Sequence, residues 1–454
     1  MKPARLGDAV VSMKNGMYKP ASEYGDDGVP CLRMYNIDAG TIVWRDIKRM
    51  RITASELEDY GLREGDLLVN RVNSRELVGK TACIPASLGP AVFESKNIRV
   101  RIDPVKALPK FISYQLLARG RRHFEGNAQQ VVGMASISQK QIADFPIVLT
   151  DLDDQCRIVA EIEKQFSRLD EAVAGLKRVK ANLKRYKAAV LKSAVSGRLV
   201  DTEADLARRE GRDYETGAQL LQRILDTRRQ QWQGKGKYKE PAAPDTAELP
   251  ELPEGWVWAS LDGLSWDSAY GTSEKCSYEN TGVAVLRIPN VQNGALDLDD
   301  LKFASPALAI SASEAVAAGD MLVIRTNGSK SLIGRAAVVL ASTTRVLAYA
   351  SYLIRFRLMN LDSLAHWVSV VWQGPPIRSW IEAHAATSAG QHNISMTTLA
   401  TAAVPLPPLP EQHSIVAEVD RLLSIAREAE AEVEANLKRA QGLRQTILAR
   451  AFQV

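Results

Sequence analysis

Cysteine is scarce in this 454-residue chain: Cys31, Cys83, Cys156 and Cys276 lie far apart, with no C-x-x-C pair among them. That argues against a disulfide framework and against a thiolate metal site, and makes a reducing compartment the natural setting. Histidine is almost as rare, at five residues, and none of the five shows H-x-x-x-H spacing. No apolar run approaches the ~18 residues of a membrane span, and the N-terminus does not read as a charged, then apolar leader. The chain is therefore expected to be soluble and cytoplasmic, with no membrane contact. A phosphate-cradling loop is missing too, because "GKT" at 79–81 has Ser74 where the first glycine of that motif would stand. No glycine-rich cofactor loop follows a strand. No catalytic residue, metal or cofactor is expected in this chain, which reads as a protein that places other molecules.

Charge of one sign is not in large excess either, at a net +5, but its distribution is uneven. Residues 1–150 carry 22 Lys and Arg against 16 Asp and Glu, whereas residues 256–409 carry 10 against 11. Any polyanion binding in the second half must come from a local patch.

What is present is a repeat. Sliding the chain on itself by about 255 residues aligns "GVPCLRMYNIDAG" from Gly28 with "GVAVLRIPNVQNG" from Gly282. "GDLLVNRVN" from Gly65 then meets "GDMLVIRTN" from Gly319, "IRVRI" at 98–102 meets "IRFRL" at 354–358, and "GMASIS" from Gly133 meets "GQHNIS" from Gly390. Order and spacing are kept throughout. Each half starts as a unit of short alternating strands, read from "VLRIPNV", "MLVIRT" and "LIRFRL", with helices such as 111–120.

After each unit the period changes. Apolar residues step by three and four through Ile158, Ile162, Phe166, Leu169, Val173, Leu176, Val179, Leu183, Tyr186, Val190 and Ala194, and again through Ile415, Val419, Leu422, Ala426, Ala429, Val433, Leu437, Ala440, Leu443 and Ile447. These are two helices of roughly 50 Å with a narrow apolar seam. The expected fold class is α+β: two pseudo-symmetric α/β globular units separated by two long helices that form an antiparallel coiled coil. The divisions are a first unit at 1–150, a first helix at 151–200, and a short helix (about 216–232) with a Pro/Gly-rich linker at 201–255. A second unit at 256–409 and a second helix at 410–454 follow. The first helix is basic, with Lys177, Arg178, Lys180, Lys184, Arg185, Lys187 and Lys192 and no acid between 172 and 198. A solvated face, or a surface against a polyanion or a partner, fits that run.

The exits carry a resemblance. "VPLPPLPEQ" before the second helix, "ELPEGWVWASLDGL" at the entry to the second unit, "GDMLVIR" and "NIS" together resemble the specificity subunits of type I restriction-modification enzymes, along essentially the whole chain. The first exit departs, with "VLTDLDDQ" where that family carries prolines. The resemblance implies that each globular unit is a target recognition domain for double-stranded DNA and that the helices hold two methyltransferase subunits. Restriction/translocase subunits would join them. S-adenosylmethionine, ATP and Mg would belong to those partners. A scaffold binding proteins other than nucleic acid is the alternative.

Two short half-sites of different sequence suit a duplicated reader. Residues identical in both halves cannot specify both, so Arg33 with Arg287, Asn36 with Asn290, Arg71 with Arg325 and Asn73 with Asn327 are candidates for scaffold or phosphate contact. Divergent polar neighbours are the candidates for base reading: Asn70, Ser74, Arg75, Lys80, Gln129 and Gln130 in the first unit. In the second they are Thr326, Ser329, Lys330, Gln391, His392 and Asn393. Arg and Lys suit guanine O6 and N7, and Asn and Gln suit adenine N6 and N7. For each one the plainer reading, a turn residue or a solvated loop position, stays open.

Overall fold

The structure, a computed structural model, describes residues 1–131, 133–232, 236–361, 363–388 and 390–452, with only the backbone of Val131 and Ser388. Gln233, Gly234 and Lys235 of the expected linker lie outside the described residues. The chain divides into two compact units, Met1–Arg178 with Val433–Val454, and Val179–Glu432.

In the first unit the entry strand Lys2–Arg5 pairs antiparallel with the exit strand Pro146–Leu149. Between them an antiparallel sheet runs in the order Thr81–Cys83, Leu67–Asn70, Asn97–Ile102, Val10–Asn15. "IRVRI" is thus a central strand, and Ile98 and Val100 are fully buried on it. A second sheet holds Val92–Phe93, Val29–Leu32, Lys48–Met50 and Tyr24–Gly25, and a third holds Gln129–Val131, Met134–Ser136 and Val72–Asn73. The helix expected at 111–120 is part of a longer helical run, Pro109–Gln115 continuing through a wider turn to Arg121–Asn127.

The second unit repeats this plan. Val257–Ser260 pairs with the exit strand Ala403–Leu406. The main sheet runs Ser265–Tyr270, Leu353–Leu358, Asp320–Ile324, Ala336–Val338, and the smaller ones are Lys302–Phe303, Ala284–Leu286, Leu347–Tyr349 and Thr326–Asn327, Gln391–Asn393, Ala386–Ser388. "VLRIPNV" is not one strand, as its alternation suggests. It breaks after Leu286 because Asn290 accepts the N–H of Arg287 at its side-chain oxygen and closes a 3-10 turn.

The repeated "GD" has a physical cause. Gly65 and Gly319 sit at φ +80° and +87°, which a side chain with a Cβ resists, and they turn the chain so that the next carboxylate points inward. Asp320, with no exposed surface, accepts from Arg357 Nε at 2.7 Å and Nη2 at 2.9 Å, and also from the N–H of Ala317. Asp66 meets Arg101 in the same way, at 2.9 Å. Arg101 and Arg357, the second arginines of "IRVRI" and "IRFRL", are therefore cross-strand partners of the turn. Two more glycines permit a close approach. A Cβ on Gly16 would lie 2.0 Å from the carbonyl oxygen of Glu94, and one on Gly271 would lie 2.1 Å from that of Tyr349. Either Gly→Ala change should cost about 1–3 kcal/mol of stability, read as a lower denaturant midpoint.

The exits lead into helices Leu152–Val195 and Leu409–Ala451. The aspartates that replace prolines in the first exit leave its helix intact: Asp151 accepts the N–H of Asp154, and acids in a first turn suit the helix dipole. Gln155 and Gln412 hold the two exits by the same means. Gln155 donates to the carbonyls of Lys106 and Thr150 and accepts from the N–H of Leu108, while Gln412 donates to the carbonyl of Pro407. In the first unit the helices pair through Asp170 with Arg444, and Val159 and Ile162 share a core with Leu448 and Phe452. In the second, Lys187 meets Glu430 at 2.7 Å, and Val190 and Ala194 share a core with Ile415 and Val419. Within each unit, positions rise along one helix as they fall along the other, so the pairing is antiparallel. Val179, Tyr186 and Leu443 are 44%, 43% and 49% exposed, off the buried stripe that the period assigned them to, because a narrow seam covers one face only. Lys187, from the basic run, is a cross-helix partner and not part of a free charged face.

Helices Glu203–Glu210 and Gly217–Gln230 precede the linker, and the sequence pattern signalled the second alone. Glu411 fastens the former: its carboxylate accepts from the N–H of Glu203 at 3.0 Å and from the Trp256 indole at 3.0 Å. Burial first, with the charges of Glu203 and Asp205 beside it, pushes the Glu411 carboxyl above its ordinary value, although both hydrogen bonds pull the other way. A carboxyl raised on folding contributes stability below its unfolded pKa and loses it as pH climbs through the folded one. Denaturant midpoints should therefore fall more steeply for the native chain than for Glu411→Gln as pH rises out of the ordinary glutamate range. Parallel pH profiles would exclude the effect.

Candidate nucleic-acid interface

The segments singled out by the repeat meet in space. In the first unit, the strand after "GDLLVNR" pairs with the hairpin that carries the glutamines: Asn73 lies opposite Ala135, Val72 opposite Ser136, and Gln129 opposite Ser136 on the other side. In the second, Thr326 lies opposite Asn393 and Asn327 opposite His392, with Ala386 and Thr387 beyond. Each unit thus presents a small three-stranded sheet whose side chains include exposed Gln129 and Gln130, or exposed Gln391 and Asn393 with half-buried His392. His392 is steadied by Thr387, whose hydroxyl lies 2.9 Å from Nδ1.

Several candidates are instead internal. Asn36 and Asn290 are each 1% exposed and have their amides fully engaged: Asn36 donates to the carbonyls of Val43 and Arg45, and Asn290 donates to those of Asp297 and Asp300. Asn70 has no exposed surface and bonds Asn97, Asn73 and the carbonyl of Lys96, so it cannot reach a base. Asn73, 8% exposed, gives its amide to Asn70 and accepts the N–H of Ser74. Their polarity serves the turns, which is the physical reason to remove all four from a contact surface. Asn327, half-buried, accepts the N–H of Ser329. Arg33 donates to the carbonyl of Asp46, and Arg287 to the carbonyl and carboxylate of Asp300, so both brace their loops.

Arg71 and Arg325 differ from those. Their backbones are fixed, by the carbonyls of Lys96 and Tyr352 and by the N–H groups of Ile137 and Ile394, immediately before the strands Val72–Asn73 and Thr326–Asn327 of the small sheets. Neither guanidinium has a hydrogen bond or an ion pair among the described residues, and each Nε is buried without a partner, as it also is in Arg33 and Arg287. Arg325 lies 4.8 Å over the ring of Tyr270, an exposed aromatic that the sequence reading passed over. Lys80, half-buried, and Lys330, exposed, have no ion pair among the described residues. Ser74 donates to Glu76 at 2.7 Å, Arg75 reaches the carbonyl of Glu125, and the Ser329 hydroxyl lies 2.9 Å from that of Ser331.

The pairing register also shows what was missed. Gln129 and Gln130 occupy the first arm of one hairpin, whereas Gln391 to Asn393 occupy the second arm of the other. Their true counterparts are Ala386 and Thr387, and Met134 to Ser136. The glycines Gly133 and Gly390, both at positive φ, mark the hairpin turns and could have signalled the arms. Among the described residues, no group of three or more His, Cys, Asp or Glu is placed to hold a metal ion, and no helix is long and apolar enough to cross a membrane.

No family model matches the chain. It is similar to the type I restriction enzyme EcoKI specificity subunit of Escherichia coli strain K12, 24% identical over 322 residues, 70% of this chain and 60% of that one. The EcoBI specificity subunit of Escherichia coli is 23% identical over 98% of this chain and 84% of its own length, and the StySPI specificity subunit of Salmonella potsdam is 24% identical over 94% and 82%. Among solved structures, a chain from work on complex assembly and conformational transition of the type I R-M system superposes with a TM-score of 0.63 at 17% identity, covering 99% of this chain and 97% of that one. The HsdS subunit from Thermoanaerobacter tengcongensis superposes at 0.51 and 18% identity over 99% and 96%. The resemblance read from the exits and the repeat is borne out, and the fold is that of these subunits.

Proposed function

We propose that this chain is the specificity subunit of a type I restriction-modification enzyme: a non-catalytic, sequence-specific DNA-binding protein whose two reader sheets address two different half-sites of one asymmetric target. The observation that carries the reading is the repetition of the reader sheet. The same three strands recur in both units, while the exposed side chains differ, Gln129 and Gln130 in one and Gln391 and Asn393, with half-buried His392 between them, in the other. An identical scaffold with divergent polar tips is what two half-sites of unlike sequence require. The names of the relatives, and similarity along nearly the whole chain, support the same assignment.

In this reading Arg71 and Arg325 contact phosphate and the tips read bases. The long helices carry two methyltransferase subunits that supply adenine N6 methylation with S-adenosylmethionine. Restriction/translocase subunits, using ATP and Mg, join them. The test is long-read methylation mapping of the source genome with and without this chain. A split adenine-methylated motif that disappears on deletion supports the proposal and identifies both half-sites. An unchanged map, in cells where a methyltransferase fails to co-purify with the chain, favours a scaffold without DNA. Lys330→Ala should alter the preferred second half-site and leave the first alone. Equal loss on all sequences would make Lys330 a phosphate contact.

A further inference from the structure

We propose that a cavity of about 190 Å³ in the second unit, lined by Arg287, Lys302, Ser273 and Ser351, is an anion site that holds one backbone phosphate of the DNA beside the second half-site. This rests on the DNA-binding reading above. The argument comes from comparing the two copies of the same fold. In the first unit Met17 donates its N–H to the carbonyl of Phe93 and accepts from Ser95, and it bridges Glu94. In the second, Thr272 donates to Tyr349, accepts from Ser351 and bridges Ala350. Glu94 and Ala350 are therefore the same place in the fold.

That place is filled in one copy and open in the other. The half-buried Glu94 carboxylate accepts the N–H of Met34, the residue after Arg33, at 2.9 Å. It helps to raise the Tyr24 hydroxyl and the Cys31 thiol, burial being the larger cause for each. In the second unit the side chain is only the methyl of Ala350, and the space is the cavity. A built-in anion in one copy is thus replaced by room for one beside the matching arginine, Arg287.

The electrostatics favour a negative guest. The Lys302 ammonium rests 4.7 Å over the ring of Tyr278, which is 65% exposed, and has no ion pair among the described residues. Arg287 shares its charge with Asp300 at 3.0 Å, yet its Nε is buried without a partner. The Cys276 thiol in the lining is raised by burial, while Arg287 and Lys302 pull it down and Glu274, an acid in the same lining, pushes it up. The hydroxyls of Ser273 and Ser351 add donors of the kind that phosphate accepts. The cavity also continues the reader surface: Tyr352 lines it and accepts the N–H of Arg325 at 3.0 Å, and Tyr270, two residues before Thr272, lies against the Arg325 guanidinium.

The test follows binding of the full chain to duplexes carrying the mapped motif over a salt series, with inorganic phosphate as a competitor. Lys302→Gln, and Ala350→Glu, which restores the carboxylate of the first copy, should each weaken binding to every sequence about fivefold near physiological salt. Each should also flatten the slope of log K against log salt by about 0.9, the loss of one phosphate contact. Glu274→Gln should tighten binding. In the native chain a neutral methylphosphonate at one position flanking the second half-site should cost the same factor, and in Lys302→Gln it should cost nothing further. If Ala350→Glu misfolds, Lys302→Gln decides alone. A native salt slope in Lys302→Gln, with DNA still bound in a salt-sensitive way, overturns the site and leaves the proposed function standing. Protection by inorganic phosphate that needs Lys302, with DNA affinity unchanged, makes the cavity a free-phosphate site and overturns the backbone assignment. Loss of salt-sensitive binding by the native chain would remove the functional reading itself.

Discussion

Asp320→Ala should destabilise the second globular unit by about 3 kcal/mol or more, the usual result of removing one partner from a buried ion pair. Asp320 has no exposed surface and takes three hydrogen bonds, two from Arg357 and one from the N–H of Ala317. Truncation leaves the guanidinium, 22% exposed as a side chain, facing an apolar gap, and leaves the turn N–H without its acceptor. Partial exposure lets Arg357 recover some hydration, which keeps the effect toward the lower end of the range. Asp320→Asn should cost less, because one amide oxygen still accepts from the turn. Thermal unfolding of the full chain measures both. A midpoint for Asp320→Ala within a degree of native would mean that the pair contributes little beyond what water restores. Asp66→Ala, with Arg101 as the stranded partner, should act in the same way on the first unit.

Replacing Gln391, His392 and Asn393 together by alanine should erase most discrimination at the second half-site and leave the first intact. Each bidentate side-chain to base contact is worth about 1–3 kcal/mol, so the loss of one corresponds to roughly 5- to 150-fold in preference. The strands should survive, since Asn393 is held through its backbone by Thr326 and Ala386, and His392 by Asn327 and Thr387. The reciprocal change, Gln129 and Gln130 to alanine, should erase discrimination at the first half-site alone, because that arm is likewise held by backbone pairing to Met134–Ser136. Binding to a randomised duplex library separates the outcomes. A uniform drop across all sequences, or a change at both half-sites from one triple variant, would remove these residues from base reading.

Much of this organisation was legible in the residues. The 255-residue offset and the helical period of the exits were local properties of the chain, and they carried the duplication and the two long helices. The matched Asn36, Asn290 and Asn73 prove to be scaffold, one of the two roles open to them, whereas Asn70, taken for a base reader, misled. All are polar and near the right motifs, and nothing in a linear pattern tells a solvated amide from one consumed within the fold, for Asn36, Asn290 and Asn70 by carbonyls seven to twenty-six residues away. Arg71 and Arg325 carried the same signal, and they stand apart only because their side chains have no hydrogen-bond or ion-pair partner among the described residues.

By itself, then, the sequence determined the repeat, the helices and the segments that meet in the two small three-stranded sheets, since periodicity and identity at a fixed offset need no third dimension. The tertiary structure decided which polar groups remain free. Hydrogen-bond satisfaction depends on which distant carbonyls and carboxylates the fold brings within reach. It also decided that the place Glu94 fills in one copy opens as a cavity at Ala350 in the other: the offset of "IRVRI" and "IRFRL" equates the two residues, but only the fold shows what surrounds them.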